Sequence, residues 1–153
     1  MKTIRMAALA AATVLAAPAG AQEVISFAHW LPPTHTTQPT GIVPWAEAIT
    51  EASNGEIVIE IYPAQQLGAA ADHYDMARDG VADFTHVNPG YQPGRFPIIS
   101  LGEVPFHVAN SLEGTRALDE WYREYVAQEM PDVYFCMALM HEPGTLHSKE
   151  PMR

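Results

Sequence analysis

The sequence predicts an α/β fold in which a mainly parallel sheet is flanked by helices. Two observations predict it. Ile57, Ile59 and Ile61 alternate with Val58, Glu60 and Tyr62, the period-2 pattern of a strand. Ile42, Trp45, Ala46 and Ile49 recur at the i, i+3, i+4, i+7 spacing of one helix face. Such segments follow one another as strand, helix, strand, helix, strand, long loop, helix, strand, which is the order of βαβ units around a parallel sheet.

Val24 to Ala28 reads as the first strand, with Ile25 and Phe27 on one face. A polar, Pro-rich loop from Leu31 to Pro39 leads into a helix over about Ile42 to Ser53. Pro44 falls in its first turn, where a missing N–H has no intrahelical partner to lose. Asn54-Gly55 supplies a left-handed stop. After the second strand, Pro63 opens the loop Ala64-Gln65-Gln66-Leu67-Gly68. A weaker helix spans about Ala69 to Asp79 and ends at Gly80. Ala82 to Val87 is a short third strand, followed by an irregular stretch rich in Pro and Gly. Asn110-Ser111-Leu112-Glu113 has capping-box spacing and opens the strongest helix. Leu118, Trp121, Tyr122, Tyr125 and Val126 line one face of that helix, and Pro131-Asp132 ends it. Val133 to Met140 is apolar and is expected to be a fourth strand, with Cys136 as a buried small hydrophobe.

The N-terminus is expected to be a signal peptide. Lys2 and Arg5 precede an apolar run from Met6 to Ala17, shorter than the ~20 residues that a helix needs to cross a bilayer. Ala19 and Ala21 form an A-x-A-like exit, with cleavage expected after Ala21. Removing residues 1–21 from 153 leaves 132, enough for one domain with one core. Lys2 and Arg5 leave with the signal, so 6 of the 8 basic residues face 18 Asp and Glu, a formal charge of −12. No basic patch can be assembled from that balance, which excludes nucleic acid as a partner. No later run is apolar enough to span a membrane, so the mature chain is expected outside the cytoplasm without a span of its own.

In open parallel sheets, ligands bind outside the carboxyl ends of the strands. The loops there begin at His29, Pro63, Asn88 and His141. His29 and His35 are candidates for ligand contact on that ground. The 7 histidines include no H-E-x-x-H pair and none joins Cys136 at zinc spacing, so no metal is expected and ordinary hydrogen-bonded imidazoles are the reading. There is no G-x-S-x-G elbow, and Glu142 beside His141 lacks an orienting third group, so no enzyme and no cofactor is predicted. Arg95 either faces the cleft or fixes its own loop.

Several stretches together resemble the periplasmic solute-binding proteins of TRAP transporters, the DctP-like family. They are Phe27-Ala28-His29-Trp30, Tyr62-Pro63-Ala64-Gln65-Gln66-Leu67-Gly68, Met76 to Phe84, and Leu101-Gly102-Glu103-Val104-Pro105-Phe106. Leu146-His147-Ser148-Lys149 resembles the family's connector into a second lobe. The resemblance implies a periplasmic-binding-protein-like lobe over residues 22–142 and the start of the connector at 143–153, truncated before the second lobe. It also implies capture of a small organic acid between two lobes, for uptake by TRAP membrane permease subunits driven by an ion gradient. The family's carboxylate-binding arginine lies in a motif just beyond Arg153, and Gly144 falls where some members carry a second one. The positions the resemblance assigns to the first lobe's side of the cleft are Trp30, Gln66, Asn88 and Tyr91. Two other readings compete: the receptor of an ATP-driven importer, and a secreted metal-dependent hydrolase.

Overall fold

The computed structural model describes residues 21–105, 107–142, 144, 148 and 149. The expected signal peptide (apart from Ala21) and most of the expected connector lie outside them. Three strands make one sheet: β1 (Glu23–Ala28), β2 (Ile57–Tyr62) and β3 (Phe84–Thr85). Their spatial order is β2-β1-β3, and both pairings are parallel. The register runs from Glu23↔Ile57 to Ala28↔Tyr62 on one side and places Phe27 opposite Phe84 on the other.

Alternation along β1 sends consecutive side chains to opposite faces, and each face meets its own helix. Phe27 packs with Leu31 and Ile42 at the entry to α1 (Val43–Ala52), with Ile59, Ile61 and Phe84 around them. Ala28 packs with Met76 and Ala82 against α2 (His73–Arg78). Burying a side chain such as Phe27 contributes about 1.5–3 kcal/mol. Trp45 remains 40% exposed, yet its ring stacks on Phe84 at 5.4 Å. A π-turn, Gln38–Ile42, precedes α1, and Pro44 sits in the first turn of α1. Asn54 and Gly55 adopt φ of 52° and 81°, the left-handed stop expected of them.

The second half builds a separate cluster. Asn110 accepts a hydrogen bond from the Glu113 N–H at 2.9 Å and caps α3 (Ser111–Tyr122). The chain then turns and re-enters a short α4 (Val126–Glu129). Tyr122, Met130 and Ala138 are buried with Tyr74, Phe96 and Ile99, and Leu118, Trp121, Tyr125 and Val126 pack around them.

The expected fourth strand is corrected: residues 133–140 pair with no strand among those described. The segment is laid along α3 instead. The Ala138 N–H donates to Asp119 Oδ1 at 2.8 Å and the Met140 N–H to Thr115 Oγ1 at 2.9 Å, so helix side chains satisfy the backbone that a neighbouring strand would have served. Val133 and Phe135 face the cluster, while Tyr134 is 91% exposed. Cys136 is exposed as well, not buried as expected, because it falls on the outer side of that alternation.

Candidate solute-binding site

The three parallel strands deliver their following loops to one edge, where backbone hydrogen bonds lace them together. The His29 N–H donates to the Tyr62 carbonyl at 3.0 Å, the Gln65 N–H to the His29 carbonyl at 3.2 Å and the Ala64 N–H to the Leu31 carbonyl at 3.0 Å. The His86 N–H donates to the Ala28 carbonyl at 3.0 Å. These bonds fix Trp30, which follows the shielded His29, at the centre of the edge.

The Trp30 ring meets Tyr91 edge-on at 5.2 Å and lies tilted against His86 at 5.6 Å. Asn88 accepts from the Gly90 N–H at 2.9 Å and so caps the 3-10 turn Pro89–Tyr91 that carries Tyr91. An open pocket of about 440 Å³ is lined by Trp30, Gln65, Ala69, Ala70, Ala71 and Tyr91. Its surface is two aromatic rings, three methyl groups and one amide. Trp30 Nε1 is buried and, among the described residues, has no hydrogen-bond partner, so this indole donor is shielded from the open pocket beside it. Among the described residues, no charged side chain lines the pocket. A hollow of the same volume between α1 and β2 is lined partly by Glu47 and Glu51, which repel an anion, and it lies away from the strand exits.

The sequence-predicted residues divide into groups. Trp30 and Tyr91 come together in the wall, and Asn88 supports it from behind. His29 lies at the same exit but is 0% exposed, beneath the surface. His35 is exposed in the Pro-rich loop, where its Nδ1 accepts from the Thr37 N–H at 3.3 Å. Gln66 is exposed, whereas its neighbour Gln65 lines the pocket. His141 sits at the start of α3, beside Glu142, which accepts from Ser111 Oγ at 2.7 Å. Arg95 fixes its own loop: its guanidinium holds both oxygens of Asp75 at 2.6 and 2.8 Å and covers the Tyr74 ring at 4.5 Å.

Sequence reasoning missed Gln65, His73 and His86. Ala64 and Gln65 both take positive φ, 52° and 63°, and that left-handed pair selects which glutamine reaches the pocket. Only the Pro63-Ala64 turn hints at it. His73 lies on α2 and is 0% exposed, with its Nδ1 donating to the His86 carbonyl at 3.0 Å. Burial, with His29 and His73 nearby, pushes the His86 imidazole down to about 4. Burial also lowers His29, against an opposing pull from Gln38. Gln38 Oε1 and both His29 nitrogens make no well-formed hydrogen bond, so the two side chains are close without being properly joined. Among the described residues, no group of three or more His, Cys, Asp or Glu is placed to hold a metal ion.

A parallel α/β sheet whose strand exits build one open, aromatic, uncharged wall is the architecture of a solute-binding lobe. Comparison with known proteins gives the same class. Residues 27–141 match the bacterial extracellular solute-binding protein family 7, DctP. A marine-metagenome TRAP solute-binding protein specific for aromatic acid ligands, solved with 3-hydroxybenzoate, is 35% identical at a TM-score of 0.75, over 80% of this chain and 39% of its own. A TRAP solute-binding protein from Rhodoferax ferrireducens, solved with copurified benzoate, is 34% identical at 0.67, over 71% and 34%. One from Bordetella bronchiseptica with bound (R)- and (S)-mandelate is 30% identical at 0.71, over 78% and 38%. This chain therefore spans less than two fifths of the length of these solved relatives. It belongs to the DctP family of TRAP solute-binding proteins, a family of transport proteins.

Proposed function

We propose that this chain supplies one wall of a TRAP-type solute trap, capturing a small organic acid with an aromatic body for delivery to a membrane permease. The observation that carries the reading is the Trp30–Tyr91 pair, whose rings offer an apolar face while the buried Trp30 Nε1–H has no partner. A flat ring fits that face, and the shielded indole N–H would meet a carboxylate or phenol oxygen once the Trp30 ring turns outward. Among the described residues the pocket lining holds no cation, so charge neutralisation is assigned, on this reading, to groups outside this wall. Benzoate, 3-hydroxybenzoate and mandelate in the solved relatives support the same ligand class.

Capture would follow differential closure, since contacts from both sides of a cleft favour the closed state over the open one. Residues 1–21 would direct the chain to the periplasm and be removed after Ala21. Family membership supports transport over a secreted hydrolase, and TRAP relatives favour an ion-driven permease over an ATP-driven importer.

Nitrogen-15 NMR of the three indole N–H groups tests the reading. Millimolar 3-hydroxybenzoate should shift the Trp30 signal saturably and leave Trp45 and Trp121 in place. A single wall desolvates only one side of a solute, so affinity weaker than micromolar is expected. An unmoved Trp30 signal, or equal shifts at all three, defeats the assignment.

A further inference from the structure

Beneath the aromatic wall, the exits of β1 and β3 and the first turn of α2 bring three imidazoles together. His29 and His73 are fully shielded from solvent, and His86 is half-buried against Trp30. His73 Nδ1 donates to the His86 carbonyl at 3.0 Å, tying α2 to the exit of β3. A carbonyl can only accept, so Nδ1 carries the proton and Nε2 is left as a bare acceptor. That Nε2 and both nitrogens of His29 are buried and, among the described residues, have no hydrogen-bond partner.

Aromatic and amide groups contact the trio, and Asp72 precedes His73 at the start of α2. Phe27 of β1 lies 5.5 Å from the His29 ring, Gln38 approaches from the turn before α1, and Trp30 covers His86. The titratable groups that act on His29 and His86 are the other imidazoles of the trio. Among the described residues, none of the three forms an ion pair with a carboxylate. Asp75 of α2 is occupied by Arg78 and Arg95, and Asp83 before β3 by Ser26.

We propose that His29 and His86, tied to α2 through the His73–His86 hydrogen bond, form a proton-sensitive latch under the Trp30–Tyr91 wall. Neutral, these two rings let α2 and the two strand exits close together. Charged, they repel one another, and the exits separate, taking Trp30 with them.

Burial as the leading cause depresses both His86 and His29, in keeping with a site built for neutral rings. The sign follows from linkage. An opened latch takes up protons below the ordinary imidazole pKa of 6.5, while the closed one resists until about 4. Closure is therefore fully favoured above 6.5 and loses ground as pH falls from 6.5 to about 4. Each pH unit across that window is worth up to tenfold per proton, so closure weakens on the order of a hundredfold.

The test is a pH titration of the full chain, following histidine ring carbon-bound protons and tryptophan indole N–H groups by NMR, with far-UV circular dichroism alongside. The expected result is that the Trp30 indole signal moves between pH 6 and 4 at a higher midpoint than the loss of helix signal. His86→Gln keeps a neutral polar side chain and should cut the hundredfold acid effect on the Trp30 signal to less than about tenfold. His29→Gln serves as the second variant, with a smaller loss in the same direction. A His86 ring that titrates like an exposed imidazole overturns the proposal. So does a Trp30 signal that changes only together with helix content. The readout needs no added solute, so it stands or falls separately from the assignment of the wall as a binding site.

Discussion

The buried Tyr122 hydroxyl donates to the Glu129 carboxylate at 2.9 Å, across the turn between α3 and α4. The same carboxylate accepts the backbone N–H groups of Ile98 and, at 3.1 Å, Ile99. One acidic side chain thus satisfies three donors at the start of the 3-10 turn Ile99–Glu103 and pins it to the second core cluster. Burial first, and the Glu129 hydrogen bond second, pushes the Tyr122 phenol well above its ordinary range, so it remains a donor. Glu129→Ala strands all three donors and should cost about 3 kcal/mol, since each buried unpaired group costs roughly 1–3. Tyr122→Phe removes one bond and should cost about 1 kcal/mol. Urea denaturation checks both, and an Ala variant within about 0.5 kcal/mol of the parent would contradict the role.

The first three elements were legible in the sequence because their signals are local. Alternating Ile57, Ile59 and Ile61, the 3.6-period face from Ile42 to Ile49, and Asn54-Gly55 each specify backbone through neighbours within a few residues. Val133 to Met140 carried an equally apolar signal and was misread. A strand exists only if an edge accepts it, and Thr115 and Asp119 of α3 took the backbone donors first. Strand pairing is a long-range fact that period cannot show. The wall was half legible. Trp30 and Tyr91 follow from strand-exit topology, but the choice of Gln65 over Gln66 depends on two left-handed residues. The histidine trio depends on where α2 docks.

The cap on α3 gives a smaller, cleaner prediction. Asn110 Oδ1 meets the Glu113 N–H at 2.9 Å in an exposed setting, so its loss disturbs little besides the helix end. Asn110→Ala should cost about 1 kcal/mol, and Asn110→Asp should retain most of the stability. Thermal unfolding monitored by circular dichroism distinguishes them. Equal losses for Ala and Asp would mean that the cap contributes nothing specific.

Ser26 and Asp83 form a reciprocal tie between β1 and the approach to β3. Asp83 Oδ2 accepts from the Ser26 N–H at 2.9 Å and Oγ at 2.6 Å, while the Asp83 N–H donates to Ser26 Oγ at 3.0 Å. The hydroxyl and then the backbone N–H hold the Asp83 carboxyl below its usual range. A depressed carboxylate stabilises the fold above its unfolded pKa of 3.8, and that contribution disappears as pH falls through the lower folded value. Asp83→Asn should therefore cost less than about 1 kcal/mol at pH 7, because solvent screens an exposed carboxylate. The gap between variant and parent should close as pH falls below 3.8 and through the lower folded value. A gap that persists undiminished in acid would show that geometry, not charge, carries the tie.

Arg95 is the cation nearest in sequence to the aromatic wall, and its engagement decides whether it can anchor an acid. Its guanidinium forms a two-point fork on Asp75 and covers Tyr74, while Arg78 reaches the same carboxylate at 2.5 Å. Reaching a solute would require breaking that fork and uncovering a ring that belongs to the buried cluster. Arg95→Lys should cost about 1 kcal/mol, because an ammonium reproduces neither the fork nor the stacking. Arg95→Ala should destabilise further, yet leave the 3-hydroxybenzoate shift at Trp30 within about twofold of the parent's affinity, a difference well under the tenfold that 1.4 kcal/mol represents. Loss of the shift in a folded Arg95→Ala chain would mean that the fork opens for the ligand and that the wall carries its own cation.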